Sequence, residues 1–170
     1  MRQRLRAFGA LLCLAAVFNA AAKPRIAVLN VELNDMTILP NTERERQRTA
    51  GMRPLLEQSL AQNGEYEIVG IDADSQAAAN VGFGYLFAHH DAAAKLGRRF
   101  GADWVLVGQH GKPSFLYSDL MMHLIDVESR TLAARYSIEL KGNNGIVTQR
   151  GVDKLAAKIK VFFAGKIPMP

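Results

Sequence analysis

The sequence has almost no cysteine: Cys13 is the only one among 170 residues, and it lies in an apolar run near the N-terminus. The rest of the chain has no thiol, which excludes a disulfide, a thiolate nucleophile and a cysteine-ligated metal site there. Leu12 precedes Cys13, where a lipoprotein signal needs a small residue, so we do not expect lipid attachment.

A long hydrophobic run is also missing. The apolar run from Ala7 to Phe18 is too short to cross a bilayer core of about 30 Å as a permanent helix. Small residues at positions 20–22 follow the run, and a basic head precedes it, formed by Arg2, Arg4 and Arg6. This pattern is typical of a secretory signal peptide. We predict a signal peptide at residues 1–22, a single domain over 23–170, a periplasmic location, and no stable membrane span after cleavage.

The chain has no marked excess of charge outside this leader. Its formal net charge is +5, and the three leader arginines account for three of these charges, which leaves +2. No basic cluster is interleaved with aromatic residues, so we expect no nucleic-acid partner. No nucleophile elbow is present, and Gly82-x-Gly84 lacks the third glycine of a nucleotide-binding loop. These absences predict a protein that is not an enzyme and has no cofactor.

The hydrophobic periodicity predicts an α/β (α+β) fold with the order β-α-β-α-β-β-β-α. The predicted strands are residues 25–33, 66–71, 103–108, 115–127 and 132–141, the last three forming an antiparallel meander. A first helix is expected over residues 42–62, with a kink or break near Gly51 because Pro54 lacks a backbone donor. Residues 72–84 are expected to be a weak helix or a loop, and a further helix starts near Ala88 or Asp91 and ends at Gly101.

A last helix carries one apolar stripe, formed by Val152, Leu155, Ala156, Ile159 and Phe163. The whole arrangement predicts a mixed sheet with helices packed on it.

The sequence resembles a family of small secreted bacterial proteins, the domain of unknown function 2380. The likeness rests on the opening strand from Ile26 to Leu33, followed by Asp35 and Thr37, and on the run from Arg150 to Leu155. It covers nearly all of the chain after the leader. More loosely, the strand–helix–strand and the segment from Gly101 to Gly108 resemble the N-terminal domain of TolB and curli-export-type envelope lipoproteins. These resemblances imply an assembly or binding module rather than an enzyme.

The chain departs from the family pattern at three places, the first being Thr148 and Lys154 of the last helix, where family members often have tryptophan. The hairpin between the long strands has Ser129-Arg130 in place of Thr-Gly, which would put Arg130 in a left-handed conformation at a cost of about 1 kcal/mol relative to glycine. Many family members have a cysteine pair before the Leu-Gly-Ala-Asp-type helix, where this chain has His89-His90. A function that depends on the cysteine pair is therefore in doubt here.

The polar end of the first strand is the first candidate ligand-binding site. It contains Asn30, Glu32, Asp35 and Thr37. In open α/β sheets, ligands gather at the carboxyl ends of strands, and Asn30 and Glu32 are expected to share a face. A buried carboxylate needs an arginine, a cation or a ligand as partner. The alternative is an internal salt bridge, or a loop-closing hydrogen bond accepted by Asp35.

The histidines are the second candidate. His89 and His90, next to Asp91, could bind a transition metal, although adjacent helix residues point about 100° apart and Asp91 could instead cap the next helix. His110 and His123 are not expected to complete that site, because a turn at Pro113 would separate them by about 26 Å along the strands. They are interpreted as surface or edge histidines.

Two functional hypotheses follow. The first is a non-catalytic accessory module that binds an envelope or periplasmic protein, possibly a second copy of itself. The second is a periplasmic carrier or sensor for a small ligand or a metal. A cleft with converging polar groups favours the carrier, and an exposed apolar patch or open sheet edge favours the module.

Overall fold

A computed structural model describes residues 22–40, 42–142 and 145–165. The predicted signal peptide, apart from Ala22, lies outside the described residues. Among the described helices, none is long and apolar enough to cross a membrane.

A mixed sheet is the centre of the fold, as predicted, and it has six strands where five were expected. Its strands follow the order β3-β1-β4-β5-β6, and β2 also pairs with β4. The strands are β1 (Arg25–Val28), β2 (Glu32–Asp35), β3 (Glu67–Val69), β4 (Trp104–Lys112), β5 (Tyr117–Asp126) and β6 (Thr131–Lys141). Strands β3, β1, β2 and β4 are parallel where they pair, whereas β4, β5 and β6 form the predicted antiparallel meander.

Helices cover both faces of the sheet. They are α1 (Glu43–Ala50), α2 (Met52–Ala61), α3 (Ala73–Ala79), α4 (Tyr85–Ala88), α5 (His90–Arg99) and α6 (Gly145–Ala164). The first face of the sheet, which includes Ile26 and Leu106, packs against α2 and α6. The second face, which includes Ala27 and Val105, packs against α4 and α5. Successive side chains of a strand point to opposite faces of the sheet, which explains why neighbouring residues of β4 lie in different cores.

The predicted single strand over residues 25–33 is wrong: it is two short strands with one extra residue between them. Val28 pairs with Leu106, and Glu32 pairs with Gln109. The chain therefore advances four residues from β1 to β2 while β4 advances only three. A one-residue bulge exchanges the faces of all later side chains. Val31 therefore packs in the first-face core instead of beside Leu29.

The predicted break near Gly51 is confirmed, because α1 ends and α2 begins at this residue. The Thr42 hydroxyl caps α1 by accepting the Glu45 N–H at 3.4 Å. The Glu45 carboxylate packs beside Arg48 and Lys112. The whole predicted stripe of α6 is buried.

Elements rich in glycine and small residues differ most from the prediction. Residues 72–84 contain a definite helix, α3, whose first turn is capped by the Asp72 carboxylate accepting from Ser75 N–H at 2.7 Å. The next helical segment is split into α4 and α5, and Asp91 lies inside the first turn of α5 rather than at its cap. Strand β4 continues four residues beyond Gly108. Gly108 lets Met122 of β5 lie close to the backbone, since a Cβ there would come within 2.6 Å of its methyl group.

Candidate functional site

Strands β2 and β4 end side by side, and their carboxyl ends are where the sequence predicts a site. Asp35, the last residue of β2, pairs with Lys112, the last residue of β4. Helix α1 packs over these strand ends on the first face through Glu45 and Thr49, which are one turn apart and both buried. Met52 and Leu56 continue this buried stripe along α2.

Four charged side chains meet under α1 and form what we call the ionic cluster: Asp35, Glu45, Arg48 and Lys112. Lys112 Nζ lies 3.4 Å from a Glu45 carboxylate oxygen and 3.7 Å from one of Asp35. Arg48 contacts Glu45 at 3.4 Å. None of the four side chains is more than 7 % exposed. Two positive and two negative charges therefore compensate one another in a dry environment, and burial lowers the pKa of Arg48.

His110 extends the ionic cluster as a chain of neutral hydrogen bonds. The Thr49 hydroxyl donates to the Glu45 carbonyl at 2.8 Å, so it accepts the His110 Nδ1–H at 2.7 Å. His110 Nε2 then accepts the Ser118 hydroxyl at 2.9 Å. Burial, and then the charge of Arg48, lower the pKa of His110 to about 4. The interpretation of His110 as a surface or edge histidine is wrong, because the ring is fully buried.

The Ser118–His110 contact has the geometry of a nucleophile and its base, but not the setting. Ser118 is 2 % exposed, which leaves its hydroxyl inaccessible to a substrate. A hydroxyl, that of Thr49, orients the imidazole where a serine hydrolase uses a carboxylate. This arrangement rigidifies the sheet edge under α1 rather than providing a nucleophile.

Glu32 lies on the second face, away from the ionic cluster. Its carboxylate accepts one hydrogen bond from the Asn80 amide at 2.6 Å and one from the Gly84 backbone N–H at 2.8 Å. Gly84 has φ 73°, a conformation that glycine adopts without strain. Glu32 thus ties the loop between α3 and α4 to the sheet.

The bulge residue Asn30 connects both faces. Its backbone N–H and carbonyl both bond to the Gln76 side chain of α3, at 2.8 and 3.0 Å. Its own side chain accepts from Arg53 of α2 at 3.2 Å. Asn30 and Glu32 were expected to share a face because residues 25–33 were predicted to form one unbroken strand. The bulge interrupts this strand, so the alternation of side chains no longer relates the two residues.

Asp35 and Thr37 form a local turn. Asp35 Oδ1 accepts from the backbone N–H of Thr37 at 3.1 Å and from its hydroxyl at 2.7 Å. This is the loop-closing alternative raised by the sequence. The structure therefore brings Asp35 and Thr37 together, but it places Glu32 on the opposite face, and each of these residues has an internal partner.

The two candidate metal-binding histidines point to different neighbours. The His89 ring packs on Tyr85, with ring centres 4.4 Å apart. His90 Nε2 instead lies 3.1 Å from Nδ1 of His123. His123 was interpreted as a surface or edge residue, but it is buried against Phe87.

The hydrogen bonds of His123 oppose a metal ion. Arg135 donates to His123 Nε2 at 3.1 Å, so the ring hydrogen is on Nδ1, within reach of the Phe87 carbonyl and of His90. Burial, then His90 and Arg135, lower the pKa of His123 to about 4. A cation on Nδ1 would have to displace this hydrogen while a guanidinium contacts the same ring. Within the described residues, no three metal-binding side chains of His, Cys, Asp or Glu are gathered.

Two loops leave the sheet next to the ionic cluster and expose large apolar side chains. One follows β2, and its Met36 N–H bonds to the Lys112 carbonyl at 3.0 Å. The other follows β4, and its Phe115 ring lies 5.4 Å from Lys112 Nζ. We call the exposed side chains the apolar rim: Met36, Ile38, Leu39, Phe115, Leu116 and Tyr117. Ile38 is 89 % exposed and Leu116 82 %.

Most residues of the ionic cluster carry no functional signal in the sequence, but the burial of Glu45 and Thr49 can be predicted. The segment from Glu43 to Arg48 alternates in charge, a pattern typical of a solvated helix face. Yet Glu45 and Thr49 lie on the same helical stripe as Met52, which predicts that they are buried. Lys112 and His110 carried no such signal, because the strand that contains them was expected to end at Gly108.

Residues 24–159 match the family model described as Protein of unknown function (DUF2380). The chain belongs to this family, as the sequence resemblance predicted. The comparison with curated proteins finds no match.

Solved structures share the fold of this DUF2380 chain at low sequence identity. TolB from Acinetobacter baumannii is 14 % identical with a TM-score of 0.54; the match covers 85 % of this chain but 29 % of TolB. Lipoprotein GNA1162 from Neisseria meningitidis is 17 % identical with a TM-score of 0.51, covering 80 % of this chain and 96 % of the lipoprotein. The PelC dodecamer from Paraburkholderia phytofirmans is 14 % identical with a TM-score of 0.50, covering 78 % of this chain and 84 % of PelC.

Proposed function

We propose that this DUF2380 protein is an exported, periplasmic and non-catalytic accessory module that binds another protein of the cell envelope through its apolar rim. The observation that supports this proposal is the exposure of six large apolar side chains, five on two neighbouring loops and one, Tyr117, at the start of β5. Single exposed apolar residues are ordinary, but several of them on neighbouring loops are typical of an interaction surface.

The energetics favour a protein partner. Burying one such side chain contributes about 1.5–3 kcal/mol, so covering a few of them in a docked complex is enough for a specific interface. The ionic cluster beneath holds both loop bases, through Asp35 and Lys112. The rim is therefore presented from a rigid edge, which reduces the entropy lost on binding.

The polar candidates give less support to a small-ligand or metal carrier. Glu32 already accepts two hydrogen bonds from the protein, and Asp35 is paired with Lys112 and Thr37. A carrier would be expected to leave such carboxylates facing an open cleft. The similar structures are consistent with the module, since one is a lipoprotein and another a dodecamer.

Site-specific photocrosslinking tests the proposal. A photoreactive amino acid replaces Ile38 or Phe115 in the full chain expressed in a host with a periplasm, and the periplasmic fraction is illuminated. We expect a discrete crosslinked protein from both positions. The matched control places the same amino acid at Lys95, which is exposed on α5 and belongs to neither the apolar rim nor the groove beside α6.

The loss of the crosslink in a second variant makes the result specific. Ile38→Ser combined with Leu39→Ser removes apolar surface from the rim without touching the core, and it should abolish the crosslink from Phe115 while leaving thermal unfolding unchanged. The proposal fails if crosslinks are equal at all three positions, or if mass spectrometry of the intact protein finds a small molecule or metal whose retention requires Glu32 or His90.

A further inference from the structure

Strand β6 forms one open edge of the sheet. Its residues from Thr131 to Lys141 pair with β5 on one side, and within the described residues no strand pairs with the other side. The backbone N–H and C=O groups of that side are thus available to a further strand. The pairing slips by one residue at Ala133, opposite the step from Leu124 to Ile125, which leaves Ala134 to Lys141 as a regular edge of about 26 Å at 3.3 Å per residue.

A groove runs along this edge, between β6 and α6. Two adjoining cavities of about 660 and 600 Å³ form it, and both are lined by Lys154 and Lys158. The first has an apolar floor made by Tyr136, Phe162 and the exposed Val161. Alternate side chains of an added strand would point into such a floor.

The groove is strongly basic. Its basic residues are Lys141, Arg150, Lys154 and Lys158, together with Arg135, whose guanidinium donates to His123 on the other face of the sheet; Glu139 is the only acidic residue of its lining. Glu139 is paired with Lys141 at 3.8 Å. The lining therefore carries an excess of four positive charges, although the formal net charge of the whole chain is only +5. We call this surface the basic groove.

We propose that the basic groove binds an extended acidic peptide segment of a partner protein, which adds to β6 as a further strand. The open backbone edge supplies main-chain hydrogen bonds, the apolar floor takes the side chains that face α6, and the cations of the groove attract the negative charge of the peptide. This surface adjoins the apolar rim where Lys141 pairs with Tyr117, but the inference does not depend on the proposed function. The same cations also protect the edge against aggregation, and the experiment separates the two roles.

The probe is a fluorescent eight-residue peptide that alternates valine and glutamate, titrated into the protein purified from the periplasm of an expression host. We expect saturable binding that weakens as salt rises. Lys154→Glu/Lys158→Glu should weaken binding at least tenfold. Arg44→Glu/Lys95→Glu, which makes the same change in net charge at exposed positions elsewhere, should change it less than twofold. Circular dichroism confirms that both variants fold.

A second peptide tests the strand addition itself. The same sequence with N-methyl groups on alternate residues keeps the charge but loses the main-chain donors, and it should lose at least tenfold in affinity. Equal affinity would overturn the proposal, because it would reduce the groove to a simple ion attractor. So would equal binding of a valine–lysine peptide, or no binding of either peptide.

Two other occupants give distinct results. Self-association that the Lys154→Glu/Lys158→Glu variant abolishes, in sedimentation of the chain alone, would assign the edge to a second copy and overturn the partner peptide. Binding to anionic vesicles that the same variant abolishes, without peptide binding, would assign it to a membrane surface. The rim variant Ile38→Ser/Leu39→Ser should bind the peptide as the unsubstituted chain does, so that failure of either proposal leaves the other testable.

Discussion

The two faces of the sheet bury polar groups in different ways. On the first face, four full charges compensate one another in the ionic cluster under α1. On the second face, the carboxylate of Glu32 is held by two neutral N–H donors, and the imidazole of His123 is kept uncharged. The free energy of unfolding should therefore depend on charge balance on the first face and on individual hydrogen bonds on the second.

The largest effect is expected from removing one charge of the ionic cluster. Lys112→Met keeps the aliphatic part of the side chain but leaves Asp35 and Glu45 with Arg48 as their only compensating charge in the cluster. Breaking a buried pair in this way costs about 3–5 kcal/mol. Urea unfolding measures the change, and Lys141→Met, at an exposed lysine paired at 3.8 Å, is the control and should cost less than about 1 kcal/mol. Equal effects of the two substitutions would contradict the assignment of a dry cluster.

The pH dependence of the free energy of unfolding compares the two faces, because each face contains one buried histidine. His110 on the first face and His123 on the second have pKa values lowered from 6.5 to about 4 in the fold. Both rings are neutral in the native state, so the unfolded chain takes up protons first as the pH falls. The contribution of each neutral histidine to the free energy of unfolding is fully present above pH 6.5 and is lost as the pH falls from 6.5 to about 4. This loss is up to about 3 kcal/mol for each histidine, since one pKa unit equals about 1.4 kcal/mol.

Single substitutions assign this pH dependence. His110→Asn and His123→Asn should each remove about half of the loss of stability between pH 7 and pH 4.5, measured as the slope of the unfolding free energy against pH. Each variant is compared with itself at the two pH values, so that its own destabilisation at pH 7 cancels. A slope that neither substitution changes would show that neither ring is kept neutral by the fold.

A smaller effect is expected on the second face from Glu32→Gln. The amide retains one acceptor oxygen but turns its NH2 group toward a donor, so one of the two hydrogen bonds to Asn80 and Gly84 is lost, at a cost of about 1–3 kcal/mol. The exposed Glu67→Gln is the control and should stay within about 0.5 kcal/mol. Faster amide exchange at Gly84 in the variant would locate the loss.

The smallest effect concerns a hydroxyl without a partner. Tyr136 packs at the margin of the first-face core, and within the described part of the chain its buried hydroxyl has no hydrogen-bond partner. Burial also raises its pKa. Tyr136→Phe should therefore leave stability unchanged or increase it by up to about 1 kcal/mol. A loss above 1 kcal/mol in thermal unfolding would show that the hydroxyl is satisfied in solution.

Elements with strong periodicity were predictable. The α6 stripe, the alternation of β4 and the break at Gly51 follow from local spacing and from the covalent geometry of proline, and all are confirmed. The left-handed Arg130, predicted from the family hairpin, is also observed, with φ 59°. Strand ends were less predictable: Asn34, Asp35, Gly108 and Gly111 disfavour strands locally, but pairing with neighbouring strands overrides that preference.

The sequence alone determined the order of the elements, the mixed sheet and the exclusion of thiol chemistry, because each follows from composition or from a period of two or about 3.6 residues. Only the tertiary structure decided which polar residues meet. A single extra residue at Asn30 sets the face of Glu32, and residues 100 positions apart, Arg48 and Thr148, contact each other at 2.8 Å. A bulge and long-range contacts of this kind depend on the pairing of distant segments, which no local pattern in the sequence contains.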